Sequence, residues 1–331
     1  MQERKHLQPD GQYDPDVLSE QELKEKLKQA GIFLKTELQK ETESTNTLLR
    51  KYAQEGERED MLLLAEHQTG GRGRKGRNFY SPKGTGLYMS LLLHPKVPAG
   101  ETAMLTPLAA AAVAGALEEI SGKQTQIKWV NDILVDGKKA VGILTETAGT
   151  LTEGCFDYVI VGIGINVYEP KGGFPEEIRD VAGAVFSKSD RLELPCRTYD
   201  FVRCRIAVEV LRRFMEFYRV FPKREYLEEY RRRSALIGKD VKVIPTGQMT
   251  GSVAEAEQEL TKQAERVPER QAEQALIKQC VCQEQKAAKE DKDQIRYAKV
   301  IGIDEQCRLQ VLYEDGREEF LSSGEVSIRG R

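Results

Sequence analysis

The sequence predicts an α/β (α+β) fold with a small β-domain at its C-terminal end. Short apolar runs at residues 61–65 and 86–93 are typical of buried strands. Longer apolar or amphipathic stretches at residues 106–120 and 198–220 have the length of helices. From residue 238 onward, short alternating segments separated by turn signals indicate a β-domain. The 331 residues are enough for two or three domains at roughly 100–200 residues each.

The N-terminal residues 1–40 are predicted to form a tail and one short helix. Residues 1–15 are polar and are expected to be disordered, whereas Ser19 and Glu22 have the spacing of a helix capping box. A DNA-binding helix-turn-helix needs a second, recognition helix. Because the sequence leaves no room for one before Ser44, we expect no DNA partner and no repressor activity.

The central region, residues 41–235, is predicted to alternate strands with helices. The Ser-Thr-Asn sequence at residues 44–46 is expected to cap a helix. The run at residues 126–130 is predicted to continue as one strand through residue 135 to an Asp-Gly hairpin turn at 136–137. The remaining predicted elements before residue 236 are a strand at 32–38, which precedes the central region, strands at 140–147 and 158–167 and a helix at 223–234.

The C-terminal residues 236–331 are predicted to form the small β-domain. A segment at about 250–295, rich in Gln, Glu, Lys and Ala, is predicted to be a helical or disordered insertion, longer than the usual ordered loop. The strands of this domain are predicted at residues 241–245, 297–301, 309–313 and 318–328.

Composition excludes several classes of protein. Hydrophobic residues make up 40% and charged residues 31% of the chain, as in soluble globular proteins. The net charge of −3 argues against a general nucleic-acid binder. No signal-peptide core and no run of eighteen apolar residues occur, so no membrane association is expected. Six scattered cysteines with three histidines do not favour a zinc site and fit reduced thiols in the cytoplasm.

The most unusual stretch is residues 68–77, Gln-Thr-Gly-Gly-Arg-Gly-Arg-Lys-Gly-Arg, here called the basic loop. Its glycines let the backbone approach a ligand closely. Its arginines and lysine are charge-assisted donors for phosphate or carboxylate. It lacks the ending of a P-loop and the glycine spacing of a dinucleotide fingerprint. This stretch alone does not decide between a specific small-anion site and a solvated or RNA-contacting Arg/Gly segment.

Further motifs follow the basic loop in a fixed order. Lys-Trp-Val-Asn-Asp stands at residues 128–132, Lys-Lys-Ala-Val-Gly-Ile-Leu at 138–144 and Gly-Ile-Gly-Ile-Asn at 162–166. With Ser-Thr-Asn at 44–46 and the basic loop, this set resembles the biotin protein ligases of the monofunctional type, which lack an N-terminal DNA-binding domain.

The resemblance covers about residues 43–169 and resumes at 298–303 and 323–329. It implies a central catalytic domain with a mixed β-sheet flanked by helices, followed by a small SH3-like β-barrel. It also implies two half-reactions. Biotin and ATP give biotinyl-5′-AMP and pyrophosphate, and the biotin is then transferred to a lysine of a biotin carboxyl carrier protein.

The resemblance also assigns residues to roles. A carboxylate and a triphosphate must be brought together, which requires positive groups where negative charge develops. Lys139 and Arg74 are the implied catalytic residues, and Asp132 is implied to hold Mg²⁺ with the phosphates. The implied biotin contacts are Ser44, Thr45, Asn46, Gln68, Gly71, Arg72, Gly142, Leu144, Gly162 and Gly164. The implied ATP and adenylate contacts are Arg74, Lys75, Arg77, Phe79, Trp129, Asn131, Asn166 and Arg329.

Structural alternatives stand beside several of these roles. Ser44 and Thr45 could serve as a plain helix cap, the strand glycines could mark bulges, and Trp129 could be a core aromatic residue. Lys138 is the better candidate for a solvated lysine, since strand alternation sends it and Lys139 to opposite faces. Whether the lysine of the basic loop takes part in the chemistry or only adds charge is left open.

Other function hypotheses are a lipoate or octanoate attachment enzyme, an RNA-binding module and a transcriptional repressor. The basic loop and the Lys-Trp-Val-Asn-Asp motif favour biotin over lipoate. The slightly negative net charge of the chain and the lack of an aromatic platform near the loop argue against RNA binding. A homodimer is possible.

Overall fold

The computed structural model describes residues 16, 18–152, 154–187, 190, 202–244, 296–322 and 325–328. The chain divides into two compact units, Met1–Ala235 with Glu305–Cys307, and Leu236–Asp304 with Arg308–Arg331. The N-terminal tail at 1–15, the insertion at 250–295 and Arg329, all named from the sequence, lie outside the described residues.

The first unit is built on one mixed sheet of seven strands. These strands are β1 (Lys35–Gln39), β2 (Met61–Ala65), β3 (Gly86–Leu93), β4 (Thr125–Lys128), β5 (Asp132–Val135), β6 (Lys138–Thr152) and β7 (Cys155–Asn166). Their order in the sheet is β1-β2-β3-β7-β6-β5-β4. Only β1 and β2 pair in parallel, and the other neighbours are antiparallel.

Helices cover both faces of this sheet, which confirms the predicted fold class. The helices are α1 (Glu20–Gln29), α2 (Thr45–Gln54), α3 (Leu105–Ser121), α4 (Val202–Arg219) and α5 (Tyr226–Arg232). Leu49 and Ala53 of α2 pack on Leu63, Leu92 and Ile160, which lie on one face of the sheet. This packing holds the N-terminal end of α2 above the middle of β3 and β7.

Helix α3 lies on the opposite face, where the Thr106 hydroxyl donates to Thr145 Oγ1 at 2.7 Å. Gly122 ends the helix in the left-handed conformation with φ of 70°, the usual C-terminal glycine cap. Among the described residues, one helical segment, Ala99–Ser121, is long and apolar enough to cross a membrane. Because 72% of its apolar window is buried inside the protein, it behaves as a core helix.

The prediction of one continuous strand over residues 126–135 is wrong. Strands β4 and β5 pair antiparallel, so the chain reverses at residues 129–131. The reversal is fixed by Asn131, whose carbonyl accepts from Ile143 N at 3.0 Å and whose Nδ2 donates to Ile143 O at 2.9 Å. The Asp136-Gly137 turn joins β5 to β6 as predicted, with φ of 51° and 77°.

The second unit is a five-stranded antiparallel sheet, which confirms the predicted C-terminal β-domain. Its strands are β8 (Asp240–Ile244), β9 (Arg296–Ile303), β10 (Leu309–Tyr313), β11 (Glu318–Leu321) and β12 (Glu325–Ile328), in the order β11-β10-β9-β8-β12. The prediction of a single strand over residues 318–328 is wrong, because β11 pairs with β10 whereas β12 pairs with β8.

Candidate active site

The floor of the site is made of glycines on two neighbouring strands. Gly142 pairs with Gly164, and Gly162 lies between Leu144 and Ser90 in the next row. A Cβ atom on Gly162 would lie 2.2 Å from Asn46 Oδ1, and one on Gly164 would lie 2.6 Å from Phe79 Cε1. The pairing is regular through this region, so these glycines are not bulges. They leave room for side chains that lie directly on the sheet.

A hydrogen-bonded polar wall rises from this floor at the N-terminal end of α2. Gln68 Oε1 accepts from Thr45 N at 2.9 Å and from Thr45 Oγ1 at 3.1 Å. Gln68 Nε2 donates to Ser81 Oγ at 3.0 Å. The Ser90 hydroxyl lies 2.6 Å from Thr45 Oγ1 and 2.6 Å from Asn46 Oδ1. The wall therefore joins α2, β3, the first residue of the basic loop and Ser81, which follows the loop.

Ser44 precedes α2 but does not cap it with its side chain. Only its backbone carbonyl accepts the first helical hydrogen bond, from Leu48 N at 3.0 Å, and its hydroxyl makes no capping bond. Ser44 is 2% exposed. A buried hydroxyl that the helix does not use suits a ligand contact better than the cap that the sequence also allowed.

The basic loop is a compact hairpin that lies over the floor. Phe79 N donates to Gly71 O at 2.8 Å, and Gly73 N donates to Arg77 O at 2.7 Å. A Cβ atom on Gly71 would lie 2.4 Å from Phe79 O, so only glycine fits there. Lys75 occupies the tip with φ of 56°, and the side chains of Lys75 and Arg77 are exposed.

Two arginines of the loop reach the sheet. Arg72 Nη2 lies 3.1 Å from Glu146 Oε1 on β6. Arg74 Nη1 donates to Asn131 Oδ1 at 3.2 Å. Burial lowers the pKa of Arg74, and the nearby Asp132 carboxylate opposes that shift. A guanidinium remains protonated in proteins, so Arg74 brings a desolvated positive charge to the site.

Lys139 is brought to the same face by a β-bulge. It stands three positions before Gly142, and regular alternation would send the two to opposite faces. The register with β5 shifts between Ile133 and Leu134, which makes Ala140 the extra residue. Lys139 Cε consequently lies 3.4 Å from the Cβ position on Gly142, and its Nζ is 2.7 Å from Asp132 Oδ1.

Lys138 points away from this face. Its Nζ donates to the carbonyl of Arg179 at 3.2 Å in an exposed position. The two neighbouring lysines therefore have different surroundings, as the alternation of the strand predicts.

Three of the implied ATP and adenylate contacts, Asn166, Phe79 and Trp129, have separate surroundings. Asn166 Nδ2 donates to Gly183 O at 3.0 Å, and the backbone of Lys139 also bonds to Val181 and Gly183. Phe79 lies against the glycine floor and contacts Tyr88 edge-on at 6.5 Å. Trp129 is 8% exposed and its indole N–H donates to Cys307 O at 2.8 Å. Phe79 and Trp129 are thus held by different partners.

The described residues include no group of three or more His, Cys, Asp and Glu side chains that could hold a metal ion. Asp132 is a single carboxylate, and its partner is Lys139. Magnesium needs few protein carboxylates when phosphates supply the other oxygens. Asp132 therefore fits a metal–nucleotide complex and does not form a metal site by itself.

Four residues that the sequence reasoning missed contribute to the site: Ser81, Ser90, Glu146 and Arg50. Ser90 and Glu146 had a signal, because Ser90 is the polar residue of an otherwise apolar strand and Glu146 is a charged residue on the glycine face of β6. Arg50 had none, since an arginine on an amphipathic helix is usually a solvated residue.

The fold and the site agree with comparisons to known proteins. A sequence profile of the Biotin/lipoate A/B protein ligase family matches residues 38–166. A profile of the Biotin protein ligase C terminal domain matches residues 288–329. The first unit therefore places the chain in the class of biotin and lipoate protein ligases. The chain belongs, more narrowly, to the biotin protein ligase family.

Individual relatives support this family. A biotin--[acetyl-CoA-carboxylase] ligase of Mycobacterium tuberculosis is 31% identical over 248 residues, which are 72% of this chain and 85% of that protein. The bifunctional ligase/repressor BirA of Bacillus spizizenii is 42% identical over 175 residues, 53% of each chain. The BirA of Bacillus subtilis is 47% identical over 42% of each chain. The chain thus spans about half the length of these two repressors or less.

A solved structure shows the same fold. The biotin protein ligase from Aquifex aeolicus in complex with biotin and ATP has a TM-score of 0.60 to this chain and 26% identity. The match covers 90% of this chain and 99% of that one.

Proposed function

We propose that the protein activates biotin with ATP to biotinyl-5′-AMP and transfers the biotin to a lysine of a biotin carboxyl carrier protein. The observation that carries this proposal is the placement of Lys139. The bulge at Ala140 brings its ammonium group to the glycine floor, on the face that the basic loop covers. The Mycobacterium relative is named as a biotin--[acetyl-CoA-carboxylase] ligase, and the Aquifex relative is a biotin protein ligase in complex with biotin and ATP.

In the first step, the biotin carboxylate attacks the α-phosphate of ATP and pyrophosphate leaves. Two anions repel each other unless cations lie between them. We assign Lys139 to bridge the carboxylate and the α-phosphate, and Arg74 to the phosphates. Asp132 holds Lys139 and Asn131 holds Arg74 close to the floor, and cations placed in advance favour electrostatic stabilisation of a transition state.

In the second step, a lysine amine of the carrier attacks the mixed anhydride and AMP leaves.

We assign Ser44, Thr45, Asn46 and Gln68 to the ureido ring of biotin, because hydroxyls and amides can both give and accept hydrogen bonds. We assign Gly71, Arg72, Gly142, Leu144, Gly162 and Gly164 to the rest of the biotin site. We assign Lys75, Arg77, Phe79, Trp129, Asn131, Asn166 and Arg329 to ATP and the adenylate.

Magnesium belongs to the proposal as a companion of the nucleotide. When bound, it would neutralise phosphate charge, and Asp132 is the carboxylate placed to hold it. For Asp132 to do so, Lys139 must exchange its contact with Asp132 for one with the substrates.

Two measurements test the proposed function. The purified protein, given ATP and Mg²⁺, should release AMP and pyrophosphate only when biotin is present. It should then label one lysine of an intact biotin carrier domain. Release of AMP without biotin, or no labelling of a folded carrier, would reject the proposal.

Lipoate attachment is the competing activity, since one family profile covers both kinds of ligase. The C-terminal match is to biotin protein ligases alone, which favours biotin. Competition between biotin and lipoate in the adenylation reaction separates the two, and preferential activation of lipoate would reverse the assignment.

The finer expectations about partners follow from the same proposal. We propose a cytoplasmic enzyme; the described cysteines are free thiols. We propose no DNA or membrane partner, and we leave a homodimer as a possible assembly. An operator gel shift tests the proposed lack of a DNA partner, and a sedimentation measurement tests the homodimer.

A further inference from the structure

Besides Asp132, a second acidic side chain lies inside this cationic site. Glu146 stands on β6 two residues after Leu144 and shares its face of the sheet. Its Oε1 lies 2.7 Å from Arg50 Nη2 and 3.1 Å from Arg72 Nη2, and its side chain is 14% exposed. Its Oε2 accepts from Asn46 Nδ2 at 2.8 Å. Glu146 therefore joins α2, β6 and the basic loop.

A carboxylate repels the anions that the site is proposed to bind, so its presence needs a separate reason. The cluster of Glu146 with Arg50 and Arg72 keeps one net positive charge. A second carboxylate can therefore approach Arg72 without meeting a net negative cluster. The side chain of Arg72 is 42% exposed. Among its described side-chain contacts, the one with Glu146 holds it against the sheet.

Glu146 also helps to fix the orientation of Asn46, whose Nδ2 donates to Glu146 Oε2 at 2.8 Å and to the Leu144 carbonyl at 3.3 Å. An ionised carboxylate only accepts hydrogen bonds, so the amide nitrogen of Asn46 must face Glu146. The amide oxygen then faces Ser90 and lies over Gly162, where a Cβ atom would be 2.2 Å away. Glu146, with the Leu144 carbonyl, therefore sets which end of the Asn46 amide faces the polar wall.

We propose that Glu146 is a positioning residue for biotin. It holds Arg72 over the floor and orients Asn46 and Ser90 at the end of the site assigned to the ureido ring. This inference rests on the proposed function. It acts on biotin binding and leaves the nucleotide site, with Lys139 and Arg74, as it is.

The test is Glu146→Gln, which keeps the shape and removes the charge. Titration with biotin alone should show affinity about tenfold weaker, the loss expected for a hydrogen bond to a charged group. KM for biotin should rise in parallel, whereas kcat at saturating biotin and KM for ATP should stay at the wild-type values. A kcat defect or an unchanged biotin affinity would overturn the proposal.

Glu101→Gln is the matched control, because Glu101 makes two 2.7 Å contacts with Arg224 outside the site. It should leave biotin affinity unchanged. Glu146→Asp, which keeps the charge but shortens the side chain, is the second variant if Glu146→Gln does not fold. It should weaken biotin binding without changing kcat, and wild-type binding would count against the proposal.

A double-mutant cycle tests the route through Arg72. Since Glu146 acts partly by holding Arg72, Arg72→Gln and Glu146→Gln should be non-additive in biotin affinity. Strictly additive losses would show that Glu146 does not act through Arg72. If the wild-type protein forms no AMP with biotin, the proposed function fails. If the wild type is active and only the variants disagree, the inference alone fails.

Discussion

At the scale of single residues, Lys139 and Lys138 provide an internal comparison. They are chemically identical neighbours, but Lys139 lies at the glycine floor beside Asp132, whereas Lys138 binds the carbonyl of Arg179 at the surface. Lys139→Gln should lower kcat for adenylate formation by about 100–1,000-fold, as loss of one preorganised charged donor does. Lys138→Gln should stay close to wild type in the same pyrophosphate-release assay. Equal losses in both variants would contradict the assignment.

The floor glycines allow a graded test of close packing. Gly162→Ala places a methyl group 2.2 Å from Asn46 Oδ1, whereas Gly142→Ala places one 3.1 Å from Phe79 Cε2. We expect Gly162→Ala to destabilise the fold by about 1–3 kcal/mol through overpacking and to abolish most biotin binding. Gly142→Ala should have a smaller effect. Calorimetric titration measures the biotin affinity of both variants.

Gly100→Ala is the control for these variants, because a Cβ atom there has no neighbour within 4 Å. If Gly162→Ala bound biotin like the Gly100→Ala protein, the close contact of Asn46 with the floor would not matter for the site.

At the scale of elements, a buried charge network joins α4 to the base of the basic loop. Arg203 is 1% exposed, and its Nη1 lies 2.8 Å from Glu66 Oε2, at the end of β2. Its backbone N and its Nε bond to Asp16. Removing one partner of a buried ion pair leaves an uncompensated charge, which costs about 3–5 kcal/mol.

Arg203→Gln should therefore lower the free energy of unfolding by about that amount in urea denaturation. Arg205→Gln, two residues further along the helix and exposed, should change it by less than about 0.5 kcal/mol. Similar midpoints and slopes for the two variants would mean that the network contributes little to stability.

The elements also show what the sequence can and cannot predict. The strands at residues 61–65 and 86–93 were predicted with their observed ends, because a short apolar run between turn signals defines a buried strand by itself. The reversal at residues 129–131 and the bulge at Ala140 could not be predicted in this way. Both depend on pairing with other strands, and one extra residue there reverses the face of every following side chain.

The site residues divide in the same way. Lys139, Arg74 and the floor glycines belong to contiguous motifs, so the order of those motifs was enough to predict them as candidate site residues. Glu146 contacts Asn46 and Arg50, which are 100 and 96 positions away in the chain. No local pattern reports a contact over that distance.

At the scale of the whole molecule, the basic loop is proposed to protect a hydrolysable intermediate. It lies over the floor as a hairpin, and Arg74 ties it to Asn131. A loop that closes over the adenylate excludes water until the carrier lysine arrives. Arg74→Gly should release biotinyl-5′-AMP into solution and label proteins other than the carrier. Adenylate retention equal to wild type, measured by rapid filtration, would contradict this role of the loop.

Biotin-dependent adenylation followed by transfer is the most direct measurement. The intact protein is incubated with ATP, Mg²⁺ and biotin, AMP is quantified, and a folded biotin carrier domain is then added and analysed by mass spectrometry. We expect AMP to form in step with the addition of one biotinyl group to a single carrier lysine, and neither product to form without biotin. AMP formation that does not depend on biotin, or a carrier that stays unlabelled while biotin and ATP are bound, would contradict the assignment of this protein as a biotin ligase.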